Sequence, residues 1–162
     1  MNLDVSYTVM NTNVEQILKN SEGRYFSEYE EILLNNYYEQ ITLKCETIRN
    51  IQDRENTIVK LALDQSLKDF PKMNSIPMIK SYLSDDLTYV LRNSALSIFG
   101  ENLEVLKEKS EKTLLKWKEL DFSYDFMNSL YTNLFNSCKN ELYIQDYEIL
   151  SSFISIFNPE NF

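Results

Sequence analysis

The sequence predicts an all-α protein, a compact orthogonal or globin-like bundle of seven to eight helices with an extended N-terminal arm. Glycine occurs only twice and proline only three times in 162 residues, so the chain has few of the residues on which turn-rich β folds depend. Apolar residues recur at spacings of three and four along most of the chain, which is the period of an amphipathic helix. No repeat or flexible linker divides the chain, so we expect a single helical domain over residues 13–162.

Residues 1–12 are the exception to the helical pattern. Leu3, Val5, Tyr7 and Val9 alternate with polar residues, which is the period of a strand. A single strand has no partner inside an all-α chain, so this segment is either an extended arm or a strand paired with its copy in a dimer. We favour the arm, followed by a short helix over residues 13–21.

Two helices are predicted between residues 27 and 70. Ser27 and Glu30 have the spacing of a capping box, which starts the first of them. Asp53 is a candidate N-cap for the next helix, and Pro71 ends it because the residue before proline avoids helical geometry. The first helix carries an apolar stripe that we expect to be buried: Leu34, Tyr38, Ile41, Cys45 and Ile48.

The remaining helices follow from the same spacing. One runs from Pro77 to Phe99, although Ser84, Asp85 and Asp86 resemble a new helix start within it, and Gly100 closes it. A largely solvent-facing helix begins near residue 101, with Trp117 in its apolar stripe and therefore in the core. Two more helices cover residues 123–139 and 144–157.

The sequence offers little chemistry for catalysis, and we predict that the protein is not an enzyme. It contains no histidine, which removes the commonest general base and the usual metal ligand. The two glycines are too far apart for a phosphate-binding loop. The acidic clusters at residues 28–31 and 85–86 lie at predicted helix starts, where the helix dipole favours them. Cys45 and Cys138 are expected to be small buried hydrophobes in helices. We therefore predict no cofactor and no metal.

Charge and hydropathy restrict the partners and the location. The chain has 25 acidic and 16 basic residues, which argues against binding nucleic acid through a basic face. No apolar run reaches the ~18 residues of a transmembrane helix, and the N-terminus lacks the pattern of a secretory signal. We therefore expect a cytoplasmic protein without a membrane span.

The C-terminal part of the chain is the candidate binding region. Residues 119–162 hold seven acidic residues and one basic residue, a net charge of −6, together with ten aromatic residues. Aromatic side chains supply contact area, and carboxylates attract a basic partner. The predicted function is a non-enzymatic regulatory, inhibitory or immunity-type protein that binds a basic protein partner, with a homodimer also possible. The predicted partner-binding residues are Asp121, Tyr124, Asp125, Tyr131, Tyr143, Asp146, Tyr147 and Glu148.

An alternative class is a ligand-sensing regulatory module, in which the closing helices enclose an apolar pocket for a lipid-like molecule. In length and helix count the chain resembles haem-free globin sensor modules of bacterial stress and sporulation regulators, and also viral Bcl-2-like proteins. The Asn-Trp-Gly-Arg signature of the Bcl-2-like family is absent, and the segment around the only tryptophan is Leu115-Lys116-Trp117-Lys118. Neither resemblance transfers a functional residue to this chain.

Overall fold

The computed structural model describes residues 14–19, 25–100 and 102–162, and all regular secondary structure in these ranges is helical. The all-α prediction is therefore confirmed, while the predicted arm over residues 1–12 lies outside the described residues. The helices are α1 (residues 14–19), α2 (Glu28–Asp69), α3 (Pro71–Asn74), α4 (Ile79–Gly100), α5 (Leu103–Glu119), α6 (Tyr124–Glu141) and α7 (Ile144–Ile154). Two 3₁₀ turns follow at Ser155–Phe157 and Pro159–Asn161.

The chain divides into two compact units, Met1–Glu46 and Thr47–Phe162. In the described part of the first unit, the buried cluster consists of Val14, Ile17 and Leu34. The second unit contains the large core, built from the apolar faces of the second part of α2 and of α4 to α7. The organisation of residues 13–162 as one domain stays a prediction.

Helix α2 begins where the sequence predicts and continues beyond the predicted break. The capping box is present, since the Ser27 amide donates to Glu30 Oε1 at 2.9 Å and the Glu30 amide donates to Ser27 Oγ at 3.2 Å. The helix then runs for 42 residues, about 63 Å. The predicted helix start at Asp53 is wrong, because this residue is exposed within a continuous helix that contains no glycine or proline. The helix ends at Asp69, two residues before Pro71, as expected.

The predicted buried stripe of α2 is only partly buried. Leu34 is buried, but Tyr38 and Cys45 are exposed. Further along the helix the fully buried positions are Thr47, Ile51 and Ile58. Spacing alone could not reveal this difference, because an apolar residue in phase with a core is buried only where another element covers it.

Helix α4 is continuous, and the predicted new start at Ser84, Asp85 and Asp86 is wrong. Asp86 is 7% exposed and lies in the middle of the helix. Its Oδ2 accepts a hydrogen bond of 2.7 Å from the indole Nε1 of Trp117, and its Oδ1 accepts one of 2.8 Å from Lys116 Nζ. The acid thus links α4 to α5, and its place in the chain is explained by this contact across the core.

The core of the second unit is arranged around α4, which packs against both α5 and α7. Trp117 is fully buried, as predicted, and its ring contacts Phe157 at 5.4 Å between centroids. Helices α2 and α6 are joined by small polar side chains. Asn133 Nδ2 donates to Ser66 Oγ at 2.9 Å, and Ser137 Oγ donates to the Ile58 carbonyl at 2.8 Å. Polar groups at this contact are therefore satisfied rather than left buried without partners.

Replacing Asp86 tests the buried link between α4 and α5. We expect Asp86→Ala to lower the free energy of unfolding by about 2–3 kcal/mol, because the buried Trp117 indole loses its acceptor. The control is Asp85→Ala, which removes the exposed neighbouring carboxylate and is expected to change stability by less than about 0.5 kcal/mol. Urea unfolding curves measure both values, and equal effects would contradict the structural role of Asp86.

Candidate functional site

The predicted partner-binding residues do not form one surface. Asp121, Tyr124 and Asp125 lie at the start of α6, whereas Tyr143 to Glu148 lie beyond its end. Helix α6 has 18 residues, so it separates the two groups by about 27 Å. The acidic and aromatic residues of this region therefore belong to two separate surfaces. The sequence suggested a single surface because the residues are close together along the chain.

Asp121 has a structural role in the turn between α5 and α6. Its φ is 58°, in the left-handed region that aspartate tolerates better than most residues. The Phe122 amide donates to the Trp117 carbonyl at 3.2 Å, and the Asp121 amide donates to the Lys118 carbonyl at 3.0 Å. These two bonds form a Schellman motif, and its accompanying apolar contact is the Trp117–Phe122 ring pair at 6.4 Å.

The start of α6 places Tyr124 and Asp125 in solvent. Ser123 Oγ accepts the Phe126 amide at 3.1 Å and caps the helix, whose start the sequence predicted at residue 123. Asp125 lies in the first turn, where the helix dipole favours a negative charge. The Tyr124 hydroxyl donates to Glu160 Oε1 at 3.3 Å. Desolvation, with a smaller effect of the Glu160 carboxylate, raises the pKa of Tyr124.

Asp146 is not available to a partner. It is 5% exposed, and its carboxylate accepts hydrogen bonds of 2.9 Å from Thr47 Oγ1 and 2.9 Å from Asn50 Nδ2. The side chain therefore attaches the start of α7 to α2. Its placement on an exposed acidic face is wrong, because an acid in the first turn of a helix can point towards the core as well as to solvent.

Two of the predicted tyrosines belong to a half-buried aromatic row on α6 and α7. Tyr131 and Tyr147 both contact Phe135, with ring centroids at 6.0 and 5.5 Å, and Tyr131 also contacts Phe157 at 6.3 Å. Desolvation raises the pKa of both tyrosines, so their hydroxyls stay protonated at neutral pH. The row chiefly closes the outer side of the core.

Tyr143 and Glu148 remain exposed at the start of α7, and Tyr143 is 76% accessible. Tyr143 also borders a groove between α2 and α6 that contains two cavities of about 230 and 260 Å³. Arg54 and Glu141 form an ion pair of 3.8 Å across this groove. The cavities are lined by Asn50, Asp53, Arg54, Glu141, Leu142 and Tyr143, and by Leu61, Gln65, Asn133, Asn136, Ser137, Asn140 and Glu141.

The first half of α2 exposes the large side chains that sequence reasoning did not assign to a binding surface. Tyr29, Ile32 and Tyr38 are 69%, 52% and 57% exposed, and Tyr25 just before the helix is also exposed. Tyr29 and Ile32 are three residues apart and lie on one side of α2, which we call, with Tyr25 just before the helix, the exposed α2 face; Tyr38, nine residues after Tyr29, lies on the opposite side. The available signal was the adjacent pair Tyr37 and Tyr38, which cannot both point to one core stripe at 3.6 residues per turn.

The two thiols have opposite environments, so the prediction that both are buried is wrong for Cys45. Cys45 is exposed on α2, while Cys138 is completely buried in α6. Burial raises the pKa of the Cys138 thiol to about 12. Cys138 is therefore a protonated core residue near neutral pH, and Cys45 is the accessible thiol.

The described residues contain neither a candidate metal-ion site nor a candidate membrane-spanning helix. Within residues 14–19, 25–100 and 102–162, no cluster of three or more histidine, cysteine or acidic side chains is arranged to hold a metal ion. None of the helices in these ranges is long and apolar enough to span a membrane.

Comparison with known proteins gives one family. A family model described as Phycobilisome protein matches residues 17–134, which is more than two thirds of the chain. Among curated proteins, none matches the chain. Phycobilisome proteins have globin-like all-α domains, so the globin-like form of the fold prediction is confirmed.

The family match corrects the predicted function. Phycobilisome proteins are light-harvesting structural proteins that bind bilins, which is neither an inhibitory nor an immunity role. The prediction of a regulatory, inhibitory or immunity-type protein is therefore wrong, and so is the alternative of a lipid-sensing module. The expectation of a protein partner is confirmed at a coarser level, because phycobilisome proteins assemble into oligomers with other subunits.

Glycine substitutions separate the structural role of Asp121 from that of its neighbour Asp125. We expect Asp121→Gly to raise the free energy of unfolding by about 0.5–1 kcal/mol, because glycine adopts a positive φ without strain. Asp125→Gly places glycine in the first turn of α6 and is expected to lower stability by up to about 1 kcal/mol. Thermal or urea unfolding measures both, and a loss of stability in Asp121→Gly would contradict the turn assignment.

Thiol labelling tests the two cysteine environments. We expect a water-soluble disulfide reagent at pH 8 to modify one thiol per native chain rapidly, and Cys45→Ser to abolish that reaction. Cys138 should react only after unfolding, because it is both buried and protonated. The matched variant Cys138→Ser is expected to retain the rapid reaction. Rapid labelling of two thiols in the native chain would contradict the burial of Cys138.

Proposed function

Because this chain belongs to the phycobilisome protein family, we propose that it is a non-enzymatic structural subunit that assembles with another helical subunit through the exposed α2 face. The observation that carries this proposal is the exposure of Tyr29 and Ile32, at 69% and 52%, on one side of the first half of a long helix. Large aromatic and aliphatic side chains are the usual anchors of protein interfaces.

Within residues 14–19 and 25–46, the described part of the first unit, few apolar side chains are fully buried. Its described buried cluster is Val14, Ile17 and Leu34, with Phe26 and two further apolar side chains packed against it. Each fully buried aliphatic side chain contributes about 1.5–3 kcal/mol, so three of them stabilise a folded unit only weakly against its loss of conformational entropy. A partner that covers the exposed α2 face would add the missing apolar burial.

The charge distribution does not select a particular partner surface for the exposed α2 face. Between Glu28 and Glu46 there are five acidic residues, and the single basic residue, Lys44, is buried. Only Lys19, Arg24 and Lys44 precede Thr47, so 13 of the 16 basic residues belong to the second unit. The second unit also holds 17 of the 25 acidic residues, a net charge of −4, so both units are negative and the proposed contact depends on apolar burial rather than on opposite charges.

Three further predictions from the sequence bear on this proposal: the lack of catalysis, the C-terminal contact residues and the location of the protein. The lack of histidine in the sequence supports a non-catalytic role. Tyr124, Asp125, Tyr143 and Glu148 are exposed, and we propose that they are available to a neighbouring subunit as secondary contacts. The cytoplasmic location stays a prediction.

Sedimentation velocity of the purified full chain over a range of concentrations tests the assembly. We expect oligomers in the wild type and at least about a tenfold weaker association in the double variant Tyr29→Ser/Ile32→Ser, because interface anchors of this type contribute more than 1.4 kcal/mol. Added salt should not weaken the association, since both units carry a net negative charge and salt screens their repulsion.

The matched control is Leu61→Ser/Leu115→Ser, which removes two side chains of similar exposure, 46% and 50%, from the second unit. This variant is expected to associate like the wild type and to keep the same helical circular dichroism. A wild-type chain that stays monomeric at all concentrations, or equal weakening in both double variants, would contradict assembly through the exposed α2 face.

A further inference from the structure

We infer that the described helical body of this chain does not accommodate a bilin, so that the protein is a pigment-free structural member of its family. The inference uses the same family membership as the proposed function, but it concerns the pigment rather than the assembly. A bilin is a linear tetrapyrrole with two propionate groups. A site for it needs a cavity of sufficient size, cationic partners for the propionates, acceptors for the pyrrole N–H groups and, for covalent attachment, a reachable thiol.

The thiols do not meet these requirements together. Cys138 is completely buried, and burial raises the pKa of its thiol to about 12. The thiol is therefore neither accessible to a bilin nor ionised for covalent attachment. Cys45 is accessible on α2, but it lines none of the three cavities described in this structure. None of these three cavities is therefore bordered by a reachable thiol.

The cavities themselves are unsuited to a tetrapyrrole. The two in the groove between α2 and α6 measure about 230 and 260 Å³, below the roughly 300–1,000 Å³ of ordinary ligand pockets. The third measures about 490 Å³ but is a surface depression along α5 alone. Its charged border consists of three glutamates and two lysines, Glu108, Glu111, Glu119, Lys112 and Lys116. Lys116 already pairs with Asp86 at 2.8 Å, so the carboxylates outnumber the ammonium groups that could hold the propionates.

Three charged groups of the second unit that could orient a bilin already have protein partners. Arg92 forms two hydrogen bonds with the Glu55 carboxylate, of 2.6 and 3.0 Å, and such a paired guanidinium is not free for a propionate. The buried carboxylates of Asp86 and Asp146, which could accept from pyrrole N–H groups, each accept two hydrogen bonds from protein side chains. Binding a bilin at these groups would require breaking those bonds.

The interior of the second unit is also filled. Leu83, Leu87 and Leu91 of α4, together with Trp117 and Phe157, have no solvent exposure. Trp117 contacts both Phe122 and Phe157. Cores packed in this way contain few voids larger than a water molecule, so a pigment could enter only by displacing large side chains. The packing therefore agrees with the thiols, the cavities and the charges.

The full chain should be produced in a heterologous host that also makes a bilin and a bilin lyase, beside a bilin-carrying phycobilisome subunit as positive control. Visible absorption of the native protein reports any bound bilin, and zinc-enhanced fluorescence of the denatured chain reports covalent attachment. We expect the chain to carry less than about a tenth of the control's bilin per mole by both measures.

Near-stoichiometric colour would overturn the inference, whether or not it survives denaturation. If zinc-enhanced fluorescence appears, its loss in Cys45→Ser or in Cys138→Ser would identify the attachment site and equally overturn the inference. Sedimentation of the same samples separates the two proposals. A coloured chain that assembles contradicts only the pigment-free inference, and a colourless monomer contradicts only the proposed assembly.

Discussion

The hydrogen bond from the Trp117 indole to the buried Asp86 carboxylate is the interaction on which much of the second unit depends. It joins the centre of α4 to the end of α5, and Lys116 neutralises the remaining carboxylate oxygen at 2.8 Å. The position of Trp117 in turn determines its contacts with Phe122 and Phe157. One buried acid thus influences the turn into α6 and the 3₁₀ turn after α7. Because an unpaired buried carboxylate is costly, this arrangement tolerates few alternatives.

Family membership and surface exposure lead to a consistent view of the molecule. The second unit is a closed helical body whose polar groups are satisfied internally, and the described residues have no buried side-chain nitrogen or oxygen without a hydrogen-bond partner. The first half of α2, in contrast, exposes aromatic and aliphatic side chains and carries excess negative charge. A chain with a filled core and an apolar exposed helix is suited to assembly with neighbours, and it offers little space for a pigment.

Local sequence signals predicted those features that depend on a few neighbouring residues. The capping box at Ser27 and Glu30, the start of α6 near residue 123 and the end of α2 before Pro71 are present where the sequence placed them. Acidic side chains were less predictable. Asp53, Asp86 and Asp146 each have a residue type that favours a helix start, yet Asp53 is within α2 and Asp86 is within α4. Asp146 does lie in the first turn of α7, but its carboxylate is used across the core.

The candidate site was harder to predict than the fold. The sequence correctly indicated that the C-terminal part is rich in acids and aromatics, but it could not show that α6 separates Asp121 from Glu148. It also could not show that Asp146 and Tyr147 are used for packing. The exposed α2 face lies away from the stripe that the sequence predicted for this helix, and within that stripe Leu34 is buried while Tyr38 and Cys45 are exposed. Periodicity reports which residues share a side of a helix, not whether that side is covered.

The sequence by itself therefore determined the helical class, most helix boundaries and the distribution of charge, since these follow from backbone preferences, capping groups and composition. The tertiary structure decided which acids are buried, which of the two cysteines is accessible and which apolar face of α2 is left exposed. These properties depend on contacts between residues up to 99 positions apart, such as Thr47 with Asp146. No local pattern encodes such contacts, because burial is a property of the packed chain as a whole.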